Sequence, residues 1–359
     1  MEERIYWLGF SLCNGIGPKR FNQLINSFGS AKKAWNASLH EITEVIGNIQ
    51  SKKLYDFKSK LNLEEYYKEL ERKDAWFVTL FEDEYPQLLQ ASHNPPFVIF
   101  GRGNKEVLSH PLTIGVVGTR RVTSYGKQVT EMITSDLIRN NYSIISGLAL
   151  GVDSIAHATA LKNNGMTIAV LGCGVDCCNP SSNQVLYNDI INSGNCILSE
   201  FPLSQPPTTG SFPSRNRIIA GLSQAVVVTE GALDSGALIT AHDAFKDGRE
   251  VFAVPGQIMS QLSKGPNELV KEGATLITSG DDILKKLGVT SKVLRKSKVI
   301  SGETKDEQLV IELLMNEGMS FDTLKQKSSM ETTTLNALLS LMELKGYIQL
   351  SDAGEYILI

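Results

Sequence analysis

Residues 112–126, LTIGVVGTRRVTSYG, decide the fold class, because a short apolar run leads directly into a loop rich in glycine, hydroxyl groups and arginine. Similar apolar runs recur as far as residue 278, with amphipathic segments between them. Short apolar strands that alternate with helices predict a parallel sheet covered on both faces. The strand-like runs are residues 112–117, 142–145, 167–171, 196–198, 225–229, 250–254 and 275–278. The helical runs include residues 127–139, 153–162, 236–246 and 266–272.

This alternation predicts a doubly wound, mostly parallel, extended Rossmann-like α/β core, in which ligands bind at the carboxyl ends of the strands. We expect the core to span residues 76–289 and to begin with a proline-rich, extended connector at residues 76–110. Residues 290–303, TSKVLRKSKVISGE, carry four cations and one acid and are expected to form a basic linker.

The two flanking segments have helical patterns. Residues 1–75 are predicted to form a small helix-hairpin-helix or SAM-like domain, because glycine turns at residues 15–17 and 46–48 separate helical runs. A plain helical packing domain fits the same pattern. Residues 304–359 give three helical runs and a hairpin, which is typical of a winged helix. Its third helix has one cation, which favours partner binding or weak DNA binding over base readout.

Composition excludes several classes of protein. The chain has 359 residues, 42% of them hydrophobic, and a net charge of −4, which is typical of a globular protein. No apolar run is long enough to cross a membrane and no signal peptide is evident, so we expect a cytoplasmic location. The five cysteines lack zinc-site spacing and are expected to be reduced thiols, and we expect no metal and no cofactor.

The candidate binding residues follow the ends of the predicted strands. Glycines let the backbone approach an anion, hydroxyl groups donate hydrogen bonds, and guanidinium groups suit phosphate. For the paired arginines of residues 215–217, a structural ion-pair network is the alternative. The full candidate set is Gly118, Thr119, Arg120, Arg121, Thr123, Ser146, Gly147, Gly172, Gly174, Arg215, Asn216, Arg217, Ser235 and Gly236.

No set of residues in the sequence indicates catalysis. The loop that begins at Gly118 is not a Walker A loop, which has four residues between its two glycines. Here seven residues separate Gly118 from Gly126, and Gln128 stands where Ser or Thr is needed. The glycine pair at residues 172–174 lacks the third glycine of a dinucleotide site, and no G-x-S-x-G elbow is present. His157 and His242 fall inside predicted helices, where a packing role is favoured. We therefore expect a binding protein with no catalytic residues, not an enzyme.

Eight motifs in this order resemble the DNA-processing protein A (DprA/Smf) family over about residues 80–288. They are GVVGTRRVTSYG (115–126), SGLALGVDSIAH (146–157), TIAVLGCGVD (167–176), SEFP (199–202), FPSRNRIIAGLS (212–223), SGALITAHDAF (235–245), VFAVPG (251–256) and SKGPNELVKEGA (263–274). The flanking helical and winged-helix segments also resemble accessory domains of that family.

The resemblance implies a homodimeric protein that binds single-stranded DNA in natural transformation, protects incoming strands and helps load the RecA recombinase. It implies a DNA-binding role for Arg120. Phe212 or Tyr125 could stack on bases. The family often has a basic residue where this chain has Ser181 and Ser182, so we expect either weaker binding or compensation by Lys127, Arg121 or the linker. The alternative is a nucleotide phosphoribohydrolase-type enzyme on a related core, although its P-G-G-x-G-T-x-x-E motif is missing.

Overall fold

The computed structural model describes residues 2–288, 302–315, 318–351 and 354–358. The chain divides into two compact units, Met1–Lys292 and Val293–Ile359. Of the predicted basic linker at residues 290–303, all but the last two residues lie outside the described residues. Within the described residues, no helix combines the length and the apolar character needed to cross a membrane.

A nine-stranded sheet forms the centre of the described part of the first unit, in the order β1-β2-β6-β5-β4-β3-β7-β8-β9. The neighbours from β6 through β9 are parallel, whereas β2 is antiparallel to both β1 and β6. The sheet confirms the predicted mostly parallel α/β core. The strands are β1 (Ala75–Thr79), β2 (Val98–Gly103), β3 (Thr113–Val117), β4 (Ser143–Ser146), β5 (Thr167–Leu171), β6 (Cys196–Ser199), β7 (Ala225–Val228), β8 (Glu250–Ala253) and β9 (Thr275–Leu276).

The expected connector at residues 76–110 is wrong in part, because it contains strand β2 and nearly all of strand β1. The prolines that suggested a connector, Pro86, Pro95 and Pro96, lie between these strands and not in them. Trp76 of β1 packs against Gly101 of β2, where an added Cβ would lie 2.2 Å from the indole ring. The two strands extend the sheet beyond β6 at one edge.

Helices cover both faces of the sheet, and alternate residues of each strand point to opposite faces. Val117 packs in the core that holds α11 and α12, and Val116 packs in the core that holds α8 and α9. Short 3₁₀ helices occupy Lys105–Ser109, Ser181–Asn183 and Gln261–Ser263. The α-helices are α1 (Glu2–Leu12), α2 (Pro18–Phe28), α3 (Ala31–Asn36), α4 (Leu39–Ile46), α5 (Asn48–Lys58), α6 (Leu63–Arg72), α7 (Gln87–Gln90), α8 (Ser124–Arg139), α9 (Val152–Lys162), α10 (Gln184–Asn192), α11 (Ser211–Leu222), α12 (Gly236–Lys246), α13 (Lys264–Lys271) and α14 (Gly280–Lys286).

The amino-terminal helices α1–α6 share one hydrophobic core with strands β1 and β2. The rings of Phe21 and Phe97 stack with their centroids 4.0 Å apart, and Trp7 packs edge-on against Phe21. These helices therefore belong to the same compact unit as the sheet. A role of their glycine turns in DNA binding stays a prediction.

The second unit has the predicted winged-helix arrangement. Its helices are α15 (Lys305–Leu314), α16 (Phe321–Ser328) and α17 (Thr332–Leu344), and its strands are β10 (Met319–Ser320), β11 (Ile348–Leu350) and β12 (Glu355–Leu358). The strand order is β10-β12-β11. Lys345, the cation at the end of α17, donates hydrogen bonds to the carboxylates of Glu303 and Glu307. That cation is therefore engaged within the unit.

Candidate nucleic-acid interface

A cavity of about 560 Å³ opens at the carboxyl edge of the sheet, beside strands β3 and β7. From β3 the chain proceeds to one side through β4, β5 and β6, and later to the other side through β7, β8 and β9. Such a reversal of strand order leaves a crevice in which α/β proteins bind ligands. Of the candidate residues, eight line this cavity: Gly118, Thr119, Arg120, Arg121, Arg215, Asn216, Ser235 and Gly236.

The loop that follows β3 is fixed by contacts with its neighbours. The backbone N–H of Thr119 donates to the carbonyl of Glu230 at 2.7 Å, and the Thr119 hydroxyl accepts from the N–H of Arg121 at 3.2 Å. A Cβ on Gly118 would lie 2.5 Å from a methyl group of Val152. The glycine at position 118 is therefore required by packing, and the loop presents the two following arginines from a rigid base.

Arg120 and Arg121 are exposed at the cavity. Within the described residues, neither guanidinium group has an ion-pair or hydrogen-bond partner, and that of Arg120 lies over the ring of Phe212, 5.2 Å from its centroid. A guanidinium group that is not bonded to a carboxylate keeps its five N–H donors available for an incoming phosphate. Both side chains are therefore free to bind an anion.

Arg215 forms part of the cavity wall although it is only 4% exposed. Its Nη1 donates to the carbonyl of Val170 at 2.6 Å, and its Nε has no hydrogen-bond partner within the described residues. Burial lowers the pKa of Arg215, the nearby Asp153 carboxylate opposes this change, and Arg120 adds to it. An arginine nevertheless stays protonated in proteins, so the wall carries a buried positive charge.

Asp153, which the sequence reasoning did not include in the site, supplies the counter-charge to Arg215. Its carboxylate accepts hydrogen bonds from the N–H groups of Gly147 at 3.1 Å and Ala149 at 3.4 Å. Burial raises the pKa of Asp153, and Arg215 is the largest influence against that rise. The signal was present in the sequence, since an acid in the first turn after a glycine-rich loop is placed to bind that loop's backbone.

Helices α11 and α12 both begin at the cavity. The side-chain amide of Asn216 donates to the carbonyl of Gly236 at 3.0 Å and so links the two helices. The Ser235 hydroxyl accepts from the N–H of Ala237 at 3.3 Å and caps α12. The positive ends of two helix dipoles therefore meet the same space as the arginines.

Six candidate residues do not line the cavity, and five of them support the loops that form it. The Ser146 hydroxyl is buried and donates to the carbonyl of Val116 at 2.7 Å, and Gly147 makes room for Arg215. Internal contacts also hold the other three: Thr123 donates to Glu230, Gly172 packs near Phe212, and Gly174 packs against Pro202.

Arg217 is the sixth, and it is held by an internal ion pair. Its guanidinium group contacts the carboxylate of Glu200 and also donates to the carbonyl of Asn94. The side chains of Arg217 and Glu200 are only 11% and 14% exposed. The ion-pair alternative that the sequence left open thus describes Arg217, whereas Arg215 lines the cavity.

One of the possible compensating cations and one of the two aromatic candidates line the cavity. Arg121 and Phe212 line the cavity, but Lys127 and Tyr125 do not. Tyr125 is 46% exposed and donates its hydroxyl to the carbonyl of Pro255 at 2.8 Å. Ser181 and Ser182, where the family often has a basic residue, are exposed and supply no charge. Arg121 therefore stays a candidate for the compensating cation, together with the linker, most of which lies outside the described residues.

Several titratable side chains of the first unit are buried or engaged in internal contacts. Glu230 is 3% exposed, and its carboxylate oxygens accept from the N–H and the hydroxyl of Thr123. His157 is fully buried, and burial lowers its pKa to about 3. His242 lies 2.9 Å from the carboxylate of Glu272 at the surface. All five cysteines are free thiols, and burial raises the pKa of Cys173 to about 12.

Comparison with known proteins identifies the family. The model of the family DNA recombination-mediator protein A matches residues 76–288, and the model of the DprA winged helix domain matches residues 296–354. This chain belongs to the DNA recombination-mediator protein A family. Members of this family with similar sequences include Protein Smf of Synechocystis, which is 38% identical over 80% of this chain and 73% of its own length. DNA processing protein DprA of Bacillus subtilis is 37% identical over 75% of this chain and 93% of its own length.

Solved structures of the DNA recombination-mediator protein A family have the same fold. DNA processing protein A from Streptococcus pneumoniae is 33% identical, covers 79% of this chain and 97% of its own, and gives a TM-score of 0.70. A structure that addresses the single-stranded DNA binding mode of the Helicobacter pylori protein is also 33% identical. It covers 59% of this chain and 95% of its own, with a TM-score of 0.53.

Proposed function

We propose that this chain is a cytoplasmic, homodimeric recombination mediator that binds single-stranded DNA, protects incoming strands in natural transformation and helps load RecA. The observation that carries the proposal is the pair of unpartnered guanidinium groups, Arg120 and Arg121, beside the buried Arg215 at one cavity of the described residues. Phosphate is the ligand that such donors prefer, and the sugar-phosphate backbone supplies it along any strand.

Apolar groups at the same cavity favour a single strand over a duplex. The ring of Phe212 and the side chain of Ile239 are part of the wall. Leu150 and Leu233, which follow lining residues in the chain, are 45% and 56% exposed. Unpaired bases can cover such surfaces by stacking and apolar contact, whereas in a duplex the bases are paired and stacked inside. The structural relative from Helicobacter pylori, which is described with a single-stranded DNA binding mode, supports the same ligand.

The alternative is a phosphoribohydrolase-type enzyme that cleaves a nucleotide in the same cavity. Glu230 stands in the segment that corresponds to the motif of such enzymes, but Thr123 occupies both of its oxygens. A carboxylate that is buried and bonded in this way is poorly placed to act on a substrate. Incubation with nucleoside monophosphates checks the point, because release of free base above background would favour the enzyme.

Strand binding tests the proposal directly. We expect the variant Arg120→Glu to bind a single strand about tenfold or more weakly, because it loses a charge-assisted contact and gains repulsion. The control is Lys162→Glu, which makes the same change of charge in the last turn of α9, away from the cavity. Affinities are measured at several salt concentrations. Equal affinities for Arg120→Glu and the unaltered chain would remove Arg120 from the proposed interface.

The partner proteins need separate measurements. We expect light scattering to give twice the mass of a single chain.

We also expect the unaltered chain to accelerate RecA filament formation on a strand coated with single-strand-binding protein, and Arg120→Glu to lose that effect. If the chain binds the strand but does not change the rate of filament formation, the RecA-loading part of the proposal is contradicted and the strand-binding part is not.

A further inference from the structure

The cavity has a surplus of positive charge. Three arginines line it, Arg120, Arg121 and Arg215, against two carboxylates, those of Asp153 and Asp234, which leaves a net formal charge of +1. Arg120 lies close enough to Arg215 to lower its pKa, so these two like charges repel each other at the cavity. An anion that binds in the cavity stabilises the positive charges of both Arg120 and Arg215.

Two helix dipoles add to this charge. Helix α11 has 12 residues and helix α12 has 11, and both begin at the cavity. Each amino terminus is equivalent to about half a positive charge. Arg215 also favours an anion at this place, because it is 4% exposed, lines the cavity and has an Nε without a partner in the described residues. The formal charge of +1, which already includes Arg215, and the two helix termini together give the cavity about two positive charges.

We propose that the cavity selects a phosphate monoester, as found at the end of a DNA strand or in a nucleoside monophosphate, over an internal phosphodiester. The inference rests on the proposed binding of a strand at this site. An internal phosphodiester carries one negative charge, whereas a monoester carries about 1.5 to 2 at neutral pH and matches the charge of the cavity. The volume of about 560 Å³ lies in the range of sites that enclose one small molecule.

Gly236 supplies a donor that can be deleted selectively. It is the first residue of α12, so its backbone N–H has no partner inside the helix. Proline is favoured at this position, because it lacks that N–H and its fixed φ suits a helix start. The preceding residue, Ser235, has φ −67° and ψ 139°, a conformation that proline tolerates. A Cβ at position 236 would approach nothing closer than the Asn216 amide at 3.6 Å.

The test uses one DNA sequence with a 5′-phosphate, a 3′-phosphate or hydroxyl groups at both ends. We expect either the strand with a 5′-phosphate or the strand with a 3′-phosphate to bind the unaltered chain about tenfold more tightly than the strand with hydroxyl groups at both ends. A deoxynucleoside monophosphate and the matching deoxynucleoside serve as competitors and distinguish a strand end from a free nucleotide. Competition by the monophosphate without any preference among the strands would assign the site to a free nucleotide.

The matched variants are Gly236→Pro and Gly236→Ala. We expect Gly236→Pro to reduce the preference for the monoester severalfold and Gly236→Ala to retain it, since only proline removes the N–H. Equal binding of all three strands, without competition by the monophosphate, would overturn the inference and leave the proposed function in place. Failure of every strand to bind would instead overturn the proposed function.

Discussion

Gly147 sets the position of Arg215, because the guanidinium group lies where a Cβ would be. An added Cβ would be 1.7 Å from Nη1 of Arg215 and 2.3 Å from its Cζ. We expect Gly147→Ala to displace this buried charge, to lower the free energy of unfolding by about 1–3 kcal/mol and to weaken strand binding. Denaturant unfolding and a strand-binding assay measure the two effects.

The control for that prediction is Gly236→Ala, at a glycine that lines the cavity. There the new Cβ has ordinary contact with Asn216, and alanine suits a helix better than glycine does. We expect this variant to be as stable as the unaltered chain or more so. If both variants unfold at the same denaturant concentration, the close packing of Gly147 on Arg215 is not important for stability.

His157 links stability to pH. Its ring nitrogen Nδ1 lies 2.7 Å from the Thr167 hydroxyl, and burial lowers its pKa from 6.5 to about 3. Below pH 6.5 the unfolded chain therefore binds a proton that the folded chain does not, so the free energy of unfolding falls as the pH falls toward 3. Between pH 6.5 and pH 5 this residue alone is expected to remove about 2 kcal/mol.

Unfolding of His157→Asn across the same pH range isolates that contribution. The amide retains a polar group near Thr167 but does not titrate, so we expect a flatter dependence of stability on pH. His242→Asn is the control, because His242 lies at the surface beside Glu272. A pH dependence in His157→Asn as steep as that of the unaltered chain would show that His157 is not the group responsible.

The arginine pair shows what the sequence could predict and what it could not. Once α11 is known to begin at Ser211, positions 212, 215, 216 and 219 fall on one face, and all four line the cavity. Position 217 lies about 200° away from 215, so helical periodicity alone could have separated the two arginines. The partner of Arg217 is Glu200, which lies on another segment, and no local pattern could have identified it.

At the level of elements, the parallel strands were predicted well, and the two strands that extend the sheet beyond β6, β1 and β2, were missed. Each buried parallel strand is a continuous apolar run, which is a strong signal. In contrast, β2 carries Gly101 and Gly103, and glycine is uncommon in strands. Those residues are tolerated because Trp76 covers one glycine and the carbonyl of Asn195 approaches the other. Such contacts are tertiary, so the sequence did not indicate them.

The packing of α2 on the start of β2 leads to a prediction about these elements. Phe21 is fully buried and stacks on Phe97. We expect Phe21→Ala to lower the free energy of unfolding by about 3–5 kcal/mol, since it leaves a cavity between the amino-terminal helices and the sheet. Phe81→Ala is the control in the same denaturant experiment, because Phe81 also packs against Trp7 but is 51% exposed. Similar losses in both variants would contradict a special role for the Phe21 contact.

The charge of the whole molecule restricts how it can bind a polyanion. The chain has 35 basic and 39 acidic residues, so its net charge does not attract DNA from a distance. Binding must then depend on a local concentration of cations. The cavity provides three, of which one already faces Asp153. Few phosphates can be neutralised at such a site, in contrast to proteins that follow a strand along a basic groove.

Salt dependence measures that number for the intact chain. Each phosphate neutralised on a single strand contributes about 0.7 to the slope of log affinity against log salt concentration, so two or three contacts give a slope of about −1.4 to −2. We expect Arg120→Gln to make this slope shallower by about 0.7, and Lys162→Gln to leave it unchanged. A slope of about −5 or steeper would mean that most phosphate contacts lie outside the cavity, because three arginines cannot release so many counterions. The four cations of residues 290–303 would then be the next group to substitute.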